Sequence, residues 1–363
     1  MPREFPGDSI TVSPCNFQAG PWDVRPSHNR VSLSSRDVGL LVREALLSLR
    51  SGTAYGCKSV LAPHPDELLS LIGDQAEPWP ASGERLNWKL STLIAVNQEH
   101  GVVKIVGSNA HNRRAHQPRS QSTLLLFDKL SMQPLCIMDG TEISAARTGA
   151  YASIVADTYR AGVDGLRVFV FGTGAVAMKA IADLMTHCGD RLDRIYVKAL
   201  TERSVMALVD AFSEAPHPVV AGSPDNLASC HLVITATNAA TPLFHEEDIA
   251  DDAVVLHLGG DETPLELIRE TLSLGTVTCD DVSSVASRGS QSLALYFSRQ
   301  GLSLSEEKTK YGIINFYPNM TLPTRTATSR CLVTCVGLAA LDLRLAERIH
   351  DMCGNAGQAT SVS

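Results

Sequence analysis

The sequence predicts an α/β chain: a doubly wound parallel sheet, plus a discontinuous α+β domain assembled from two separate segments. Three observations predict it. From Leu166 onward, short apolar runs alternate with amphipathic helical patterns, the signature of parallel strands joined by crossover helices. The first of these runs, Leu166–Phe171, enters Gly172-Thr-Gly-Ala-Val-Ala177 without a break, and a helix pattern with Ala177, Ala180, Ile181 and Leu184 on one face follows at once. Before Thr141, by contrast, the apolar runs are separated by turn residues, as in an antiparallel sheet.

In chain order, residues 1–30 carry five prolines and no clear period, and are expected to form an irregular arm. Ser34-Ser-Arg-Asp37 offers an N-cap for a helix with Val38, Leu41, Val42, Ala45 and Leu46 at helical spacing, stopped by Gly52. Ala54–Ala62 reads as a strand, ended by Pro63 and Pro65. A short helix (66–72) and a Pro/Gly-punctuated loop lead to strands around Lys89, at 102–106, 122–127 and 135–138, with a hairpin turn at 128–133. An Ala-rich helix is expected from Thr141 to about Tyr159, bridging the two domains. Strands then follow at 166–171, 194–198, 219–220, 232–236, 254–258 and 276–279, with helices near 175–187, 202–213, 225–229 and 264–271. The run Cys331–Cys335 and the helix 338–349 are expected to rejoin the first domain. The division is therefore 1–149 with 320–363 for the α+β domain, and 150–319 for the doubly wound one.

Composition narrows the function. The net charge of −8 argues against nucleic acid or an anionic membrane as the main partner. No apolar run approaches the roughly 18 residues of a membrane span, and the start Met-Pro-Arg-Glu-Phe lacks a signal-peptide core. Nine cysteines without a C-x-x-C pair read as reduced thiols, so a cytoplasmic setting is expected. Cys331 and Cys335 lack a neighbouring His at ligand spacing, so no metal site is expected.

The glycine-rich turn bears the chemistry. Gly172 permits a tight turn off the strand, Gly174 lets a pyrophosphate approach the backbone, and Ala177 keeps helix and strand close. The helix N-terminus, with Thr173, Ala175 and Val176, faces the phosphates. A dinucleotide is the ligand this pattern fits; an ordinary Gly-rich βα turn is the alternative. Where a ribose-binding acid would end the second strand stands Lys198, followed by Thr201 and Arg203, which favours a 2′-phosphate and hence NADP over NAD, unless Lys198 is a solvated strand end. Thr148, Thr235, Ala236, Thr237 and Gly259 complete the expected cofactor set. Asp261 follows two glycines at the end of the fifth strand, where it can serve as acid/base or cap the next helix. Arg147 suits a carboxylate, and Lys89 faces either solvent or a site.

Together these segments resemble the ornithine cyclodeaminase/μ-crystallin family. The resemblance is carried by Glu77-x-Trp-Pro-Ala with Lys89, Ile143-Ser-Ala-Ala-Arg-Thr-Gly-Ala150, the Gly172 fingerprint, Gly259-Gly-Asp261 and Gly337-Leu-Ala-Ala-Leu-Asp342. It implies a Rossmann domain, a discontinuous dimerisation and substrate domain, a homodimer, and hydride transfer between a nicotinamide and the α-carbon of an amino acid or imine. By that resemblance Arg147 and Lys89 bind the substrate carboxylate, Lys89 also polarising the reacting group; Asp261 is the acid/base, and Glu77 matches an acid of the cyclodeaminases. Pro118-Arg-Ser-Gln-Ser122 and Lys58 are similar to the branch that oxidises N-(2-amino-2-carboxyethyl)-L-glutamate, where Lys58 and Arg119 would hold a second acidic arm. Deaminating cyclisation of ornithine, ketimine reduction and non-catalytic ligand binding are the alternatives.

Overall fold

The computed structural model describes residues 5–17, 24–26, 30–73, 88–320 and 329–359. By their internal contacts these form two units: Ser9–Arg147 with Leu338–Ser363, and Met1–Asp8 with Thr148–Gly337.

The first unit is an antiparallel sheet covered by helices. Its strands are β1 (Ser9–Val12), β2 (Cys15–Phe17), β3 (Val24–Pro26), β4 (Val31–Ser34), β5 (Tyr55–Leu61), β6 (Lys89–Val96), β7 (His100–Ser108), β8 (Ser120–Asp128) and β9 (Pro134–Asp139). Seven of them form one sheet in the order β3-β2-β9-β8-β7-β6-β5, and β1 pairs with β4 separately. The expected irregular arm therefore supplies strands. Its prolines sit where a short strand tolerates them: Pro14 lies between β1 and β2, and Pro26 ends β3, the strand at the sheet's edge.

Period-2 patterning decides the faces. Leu93, Lys104, Leu124 and Met138 pair in one cross-strand row and so share a face, as do Ala95, Val102, Leu126 and Cys136. That face is buried by the helix Ala339–Ala359, which packs on β5 to β8 and on the helix Ser35–Ser51. Ser34 is the expected N-cap of the latter helix and forms a capping box with Asp37, and Gly52 closes the helix at φ +73°. The opposite sheet face carries Tyr55, Leu61, Leu90, Ile94 and Ile105, all exposed.

The expected long bridging helix is interrupted at Ala150, giving Thr141–Gly149 and Tyr151–Tyr159. A Cβ on Gly149 would lie 2.6 Å from the Lys179 carbonyl carbon, so glycine permits close approach to the helix Ala175–Cys188.

The second unit is an all-parallel sheet of eight strands: β10 (Leu166–Phe171), β11 (Leu192–Lys198), β12 (Val219–Ala221), β13 (Leu232–Thr235), β14 (Val254–His257), β15 (Thr276–Cys279), β16 (Ile314–Asn315) and β17 (Cys331–Thr334). Their order is β12-β11-β10-β13-β14-β17-β15-β16. The run Cys331–Thr334 thus does not rejoin the first domain; it inserts between β14 and β15, pairing with both. All four of its residues are buried, as a parallel strand covered on both faces requires. Only the following helix returns to the first unit, so the chain crosses back at Gly337/Leu338 and not near residue 320.

Candidate functional site

The order of the parallel sheet reverses between β10 and β13, and in such sheets ligands bind beyond the carboxyl ends of the strands at that switch. The Gly172 turn lies there. Gly172 has φ +116°, and a Cβ on it would stand 2.6 Å from the Ala236 carbonyl oxygen, so only glycine fits. Its N–H donates to the Lys198 carbonyl at 2.8 Å, which fastens the turn to the end of β11. Gly174 caps the helix Ala175–Cys188, and a Cβ there would meet nothing within 4 Å. Gly174 and Ala175 are exposed, Thr173 and Val176 half-buried, and Ala177 is buried against the sheet. This open helix N-terminus above a glycine turn is the cradle a dinucleotide pyrophosphate needs.

Around it, Thr148 and Lys198 are half-buried and Arg203 is exposed. Thr201 has a structural task, its hydroxyl accepting the Ser204 N–H at 3.3 Å to cap the helix Glu202–Ala211. Thr235 is buried at the end of β13, and the Ala236 N–H donates to the Phe171 carbonyl. Thr237 is engaged by Glu262: its N–H and its hydroxyl donate to Glu262 Oε1 at 3.0 and 2.6 Å.

Asp261 is mostly buried and does not cap the next helix, Leu265–Leu274, which has no side-chain cap. Its carboxylate is instead gripped by the guanidinium of Arg299, Nη2 on Oδ2 and Nη1 reaching Oδ1 at 3.5 Å. The loop bearing it is pinned from beneath. The Gly260 carbonyl accepts from His257 Nε2 at 2.7 Å and from the Ser292 N–H at 3.0 Å, and the Thr263 N–H donates to Ser292 Oγ at 2.9 Å. A Cβ on Gly259 would fall 2.1 Å from both Glu262 carboxyl oxygens, so the side-chain space beside this glycine is filled by Glu262. Glu262, His257, Ser292 and Arg299 were all absent from the sequence-derived set.

In the other unit, Arg147 belongs to a buried charge cluster. Asp342 Oδ1 accepts from Lys104 Nζ at 2.8 Å and from Arg147 Nε at 3.4 Å, and Lys104 also donates to Ser144 Oγ at 2.8 Å. Lys104 and Asp342 are wholly buried. Burial pushes the Lys104 ammonium down from 10.5 to about 8, with the Asp342 carboxylate pulling it up and the Arg147 guanidinium pressing it down. Burial acts against the charged form of Asp342 as well, yet Arg147 and Lys104 together hold its carboxyl below the usual range. Two cations, Lys104 and Arg147, thus meet on one carboxylate in the interior. The lysine sharing Asp342 with Arg147 is Lys104, which sequence reasoning missed. The signal was a lysine at an inward position of β7, in register with Leu93 and Leu124.

Lys89 opens β6 and is half-buried, on the face that also carries Lys104. Lys58 lies in the Leu93–Lys104 row, one strand beyond β6, and Arg119 immediately precedes β8. Glu77 lies outside the described residues. Among the described residues no group of three His, Cys, Asp or Glu side chains could hold a metal, and no helix is long and apolar enough to cross a membrane.

Residues 88–354 match the model of the ornithine cyclodeaminase/mu-crystallin family, a span that takes in both the Arg147 cluster and the Gly172 turn. The chain belongs to this family. Among curated family relatives, a Δ1-pyrroline-2-carboxylate reductase of Bacillus cereus is 25% identical over 171 residues, 46% of this chain and 52% of the reductase. The chain therefore spans about half the length of that relative. Among solved structures, Thermococcus litoralis Δ1-pyrroline-2-carboxylate reductase, in complex with NADH and L-proline, superposes with a TM-score of 0.70 at 18% identity, covering 90% of this chain and 95% of that one. An archaeal alanine dehydrogenase dimer with bound NAD gives 0.69 at 16% identity, covering 90% and 93%. These two likenesses bear on the fold alone.

Proposed function

We propose that this family member is an NAD(P)-dependent oxidoreductase acting at the Cα–N bond of an amino acid, an N-substituted amino acid or the corresponding imine. One observation carries the reading: Arg147 is held in a buried charge cluster with Lys104 and Asp342, in a chain whose glycine turn fits a dinucleotide. Bound nicotinamide supplies the hydride exchange at Cα. The chain's own residues do the rest. Arg147 offers the planar fork that matches a carboxylate, and Lys104 shares with it the Asp342 carboxylate that positions it. Asp261, held by Arg299, moves the proton at the imine nitrogen or at an attacking water.

Three finer assignments follow. Lys58, Lys89 and Lys104 share one sheet face, with Arg119 at its margin, which favours a substrate bearing a second acidic arm, of the N-(2-amino-2-carboxyethyl)-L-glutamate kind. Lys198, in place of the ribose-binding acid, favours NADP over NAD. The exposed apolar face of β5, β6 and β7 is closed by a second copy of the chain, making a homodimer. Light scattering that returns a monomer at micromolar concentration rejects the dimer.

The test of the activity is a panel of amino acids, dicarboxylic N-substituted amino acids and cyclic imines, followed at the nicotinamide absorbance with both cofactors. Turnover with one member, lost on Arg147→Ala, supports the reading. Cofactor binding without turnover on any member would instead favour a ligand-binding role.

A further inference from the structure

Glu262 is a buried acid that the proposed chemistry does not use. It is fully buried, yet it stands beside the carboxyl ends of two adjacent parallel strands. Its Oε1 takes the N–H and the hydroxyl of Thr237, in the loop after β13. Both are donors to it: the Thr237 oxygen accepts from the Ala239 N–H at 3.0 Å, leaving its own proton for the carboxylate. The Glu262 carbonyl accepts from the Leu243 N–H at 3.0 Å, a second tie to the same connection. Its carboxylate lies on the Cα of Gly259, in the loop after β14, where any side chain would collide with it. One acid thus joins two loops, and a glycine is kept to make room for it.

The position gives that acid a consequence. In a doubly wound sheet the first three strands serve one mononucleotide and the second half serves the other. The adenosine side belongs to β10, β11 and β12, so the nicotinamide side belongs to the carboxyl ends of β13 and β14. The oxidised nicotinamide ring carries a positive charge that the reduced ring lacks. A fixed negative charge in that region attracts one form and not the other, and poor screening in the interior strengthens the difference.

We infer that Glu262 is a positioning residue that fixes the floor of the nicotinamide half-site and, through its charge, sets the preference of the site for the oxidised cofactor over the reduced one. The inference rests on the oxidoreductase reading above and adds a residue to it. It concerns equilibrium binding, so turnover is not needed to test it.

The experiment is fluorescence or calorimetric titration of wild-type protein, Glu262→Gln and Thr237→Val with oxidised and reduced cofactor, beside thermal melts. Glutamine keeps the shape and the acceptor oxygen but removes the charge. The expected result is a shift of about tenfold in the ratio of the two dissociation constants, against the oxidised form. Thr237→Val keeps the charge and removes the hydroxyl donor while the backbone N–H stays, so both forms should weaken together with the ratio within about twofold of wild type. A Glu262→Gln ratio within about twofold of wild type would overturn the inference while leaving the reading intact. Failure of wild type to bind either form overturns both. Should Glu262→Gln not fold, a Thr237→Val ratio that moves as far as about tenfold also overturns it, because geometry alone would then set the preference.

Discussion

Replacing Asp342 by asparagine tests the charge cluster. The side chain keeps its shape and loses its charge, so Lys104 and Arg147 are left in the interior without their counter-ion. Removing one partner of a buried pair costs about 3–5 kcal/mol. For a folded body of this size each kcal/mol moves the melting temperature by about 2–4 °C, so the transition should fall by roughly 6–20 °C. The loss should also depend on pH. In wild type, burial brings Lys104 down from 10.5 to about 8 while Asp342 pulls it back up. The folded value lies below the unfolded one, so the unfolded chain binds more protons across that window and stability rises with pH through it. Without Asp342 the folded value drops further, and the window extends to lower pH. The gap between variant and wild type therefore widens as pH falls below about 8 and narrows above it. Calorimetric melts at about pH 6.5 and about pH 9 read both effects. A variant that melts within about 2 °C of wild type at the lower pH, or whose deficit grows at the higher one, would refute the reasoning.

Three further outcomes are expected. Gly172→Ala should abolish tight cofactor binding and lower stability by about 1–3 kcal/mol, because its Cβ meets the Ala236 carbonyl oxygen at 2.6 Å and φ is +116°; wild-type titration curves and melts would contradict this. Lys198→Glu should turn cofactor preference toward NADH, measured as the ratio of the two dissociation constants, and an unchanged ratio would remove Lys198 from the ribose site. Asp261→Asn should lower turnover by roughly 10²–10⁴ with cofactor affinity nearly intact; wild-type turnover on the true substrate would end its acid/base role.

Local rules made much of this legible from sequence. The strand Leu166–Phe171 and its glycine turn follow from an apolar run and a backbone conformation that glycine alone adopts readily, and neither needs a distant partner. The helix Ser35–Ser51 follows from its capping box and left-handed stop in the same way. What escaped depends on pairing across the chain. Lys104 meets Asp342 over 238 residues, and a period-2 pattern shows only that it points inward. Arg299 reaches Asp261 from 38 residues downstream, with no signal in its own neighbourhood. Sequence pattern alone puts the run Cys331–Cys335 in the other domain; the place of its strand between β14 and β15 is decided by which strand edges remain open. That the space beside Gly259 holds the side chain of Glu262, three residues on, is likewise something patterning cannot show.

The proposed reaction is hydride exchange between a nicotinamide and an amino-acid α-carbon. Reduced cofactor deuterated at the transferable C4 position tests it directly, with the imine of the substrate identified from the panel and mass spectrometry of the product. One deuterium at Cα of the amino acid, transferred by wild type and lost on Asp261→Asn, is the predicted result. Product free of deuterium at Cα, or cofactor bound by an otherwise intact protein with no transfer to any imine of the panel, would contradict it.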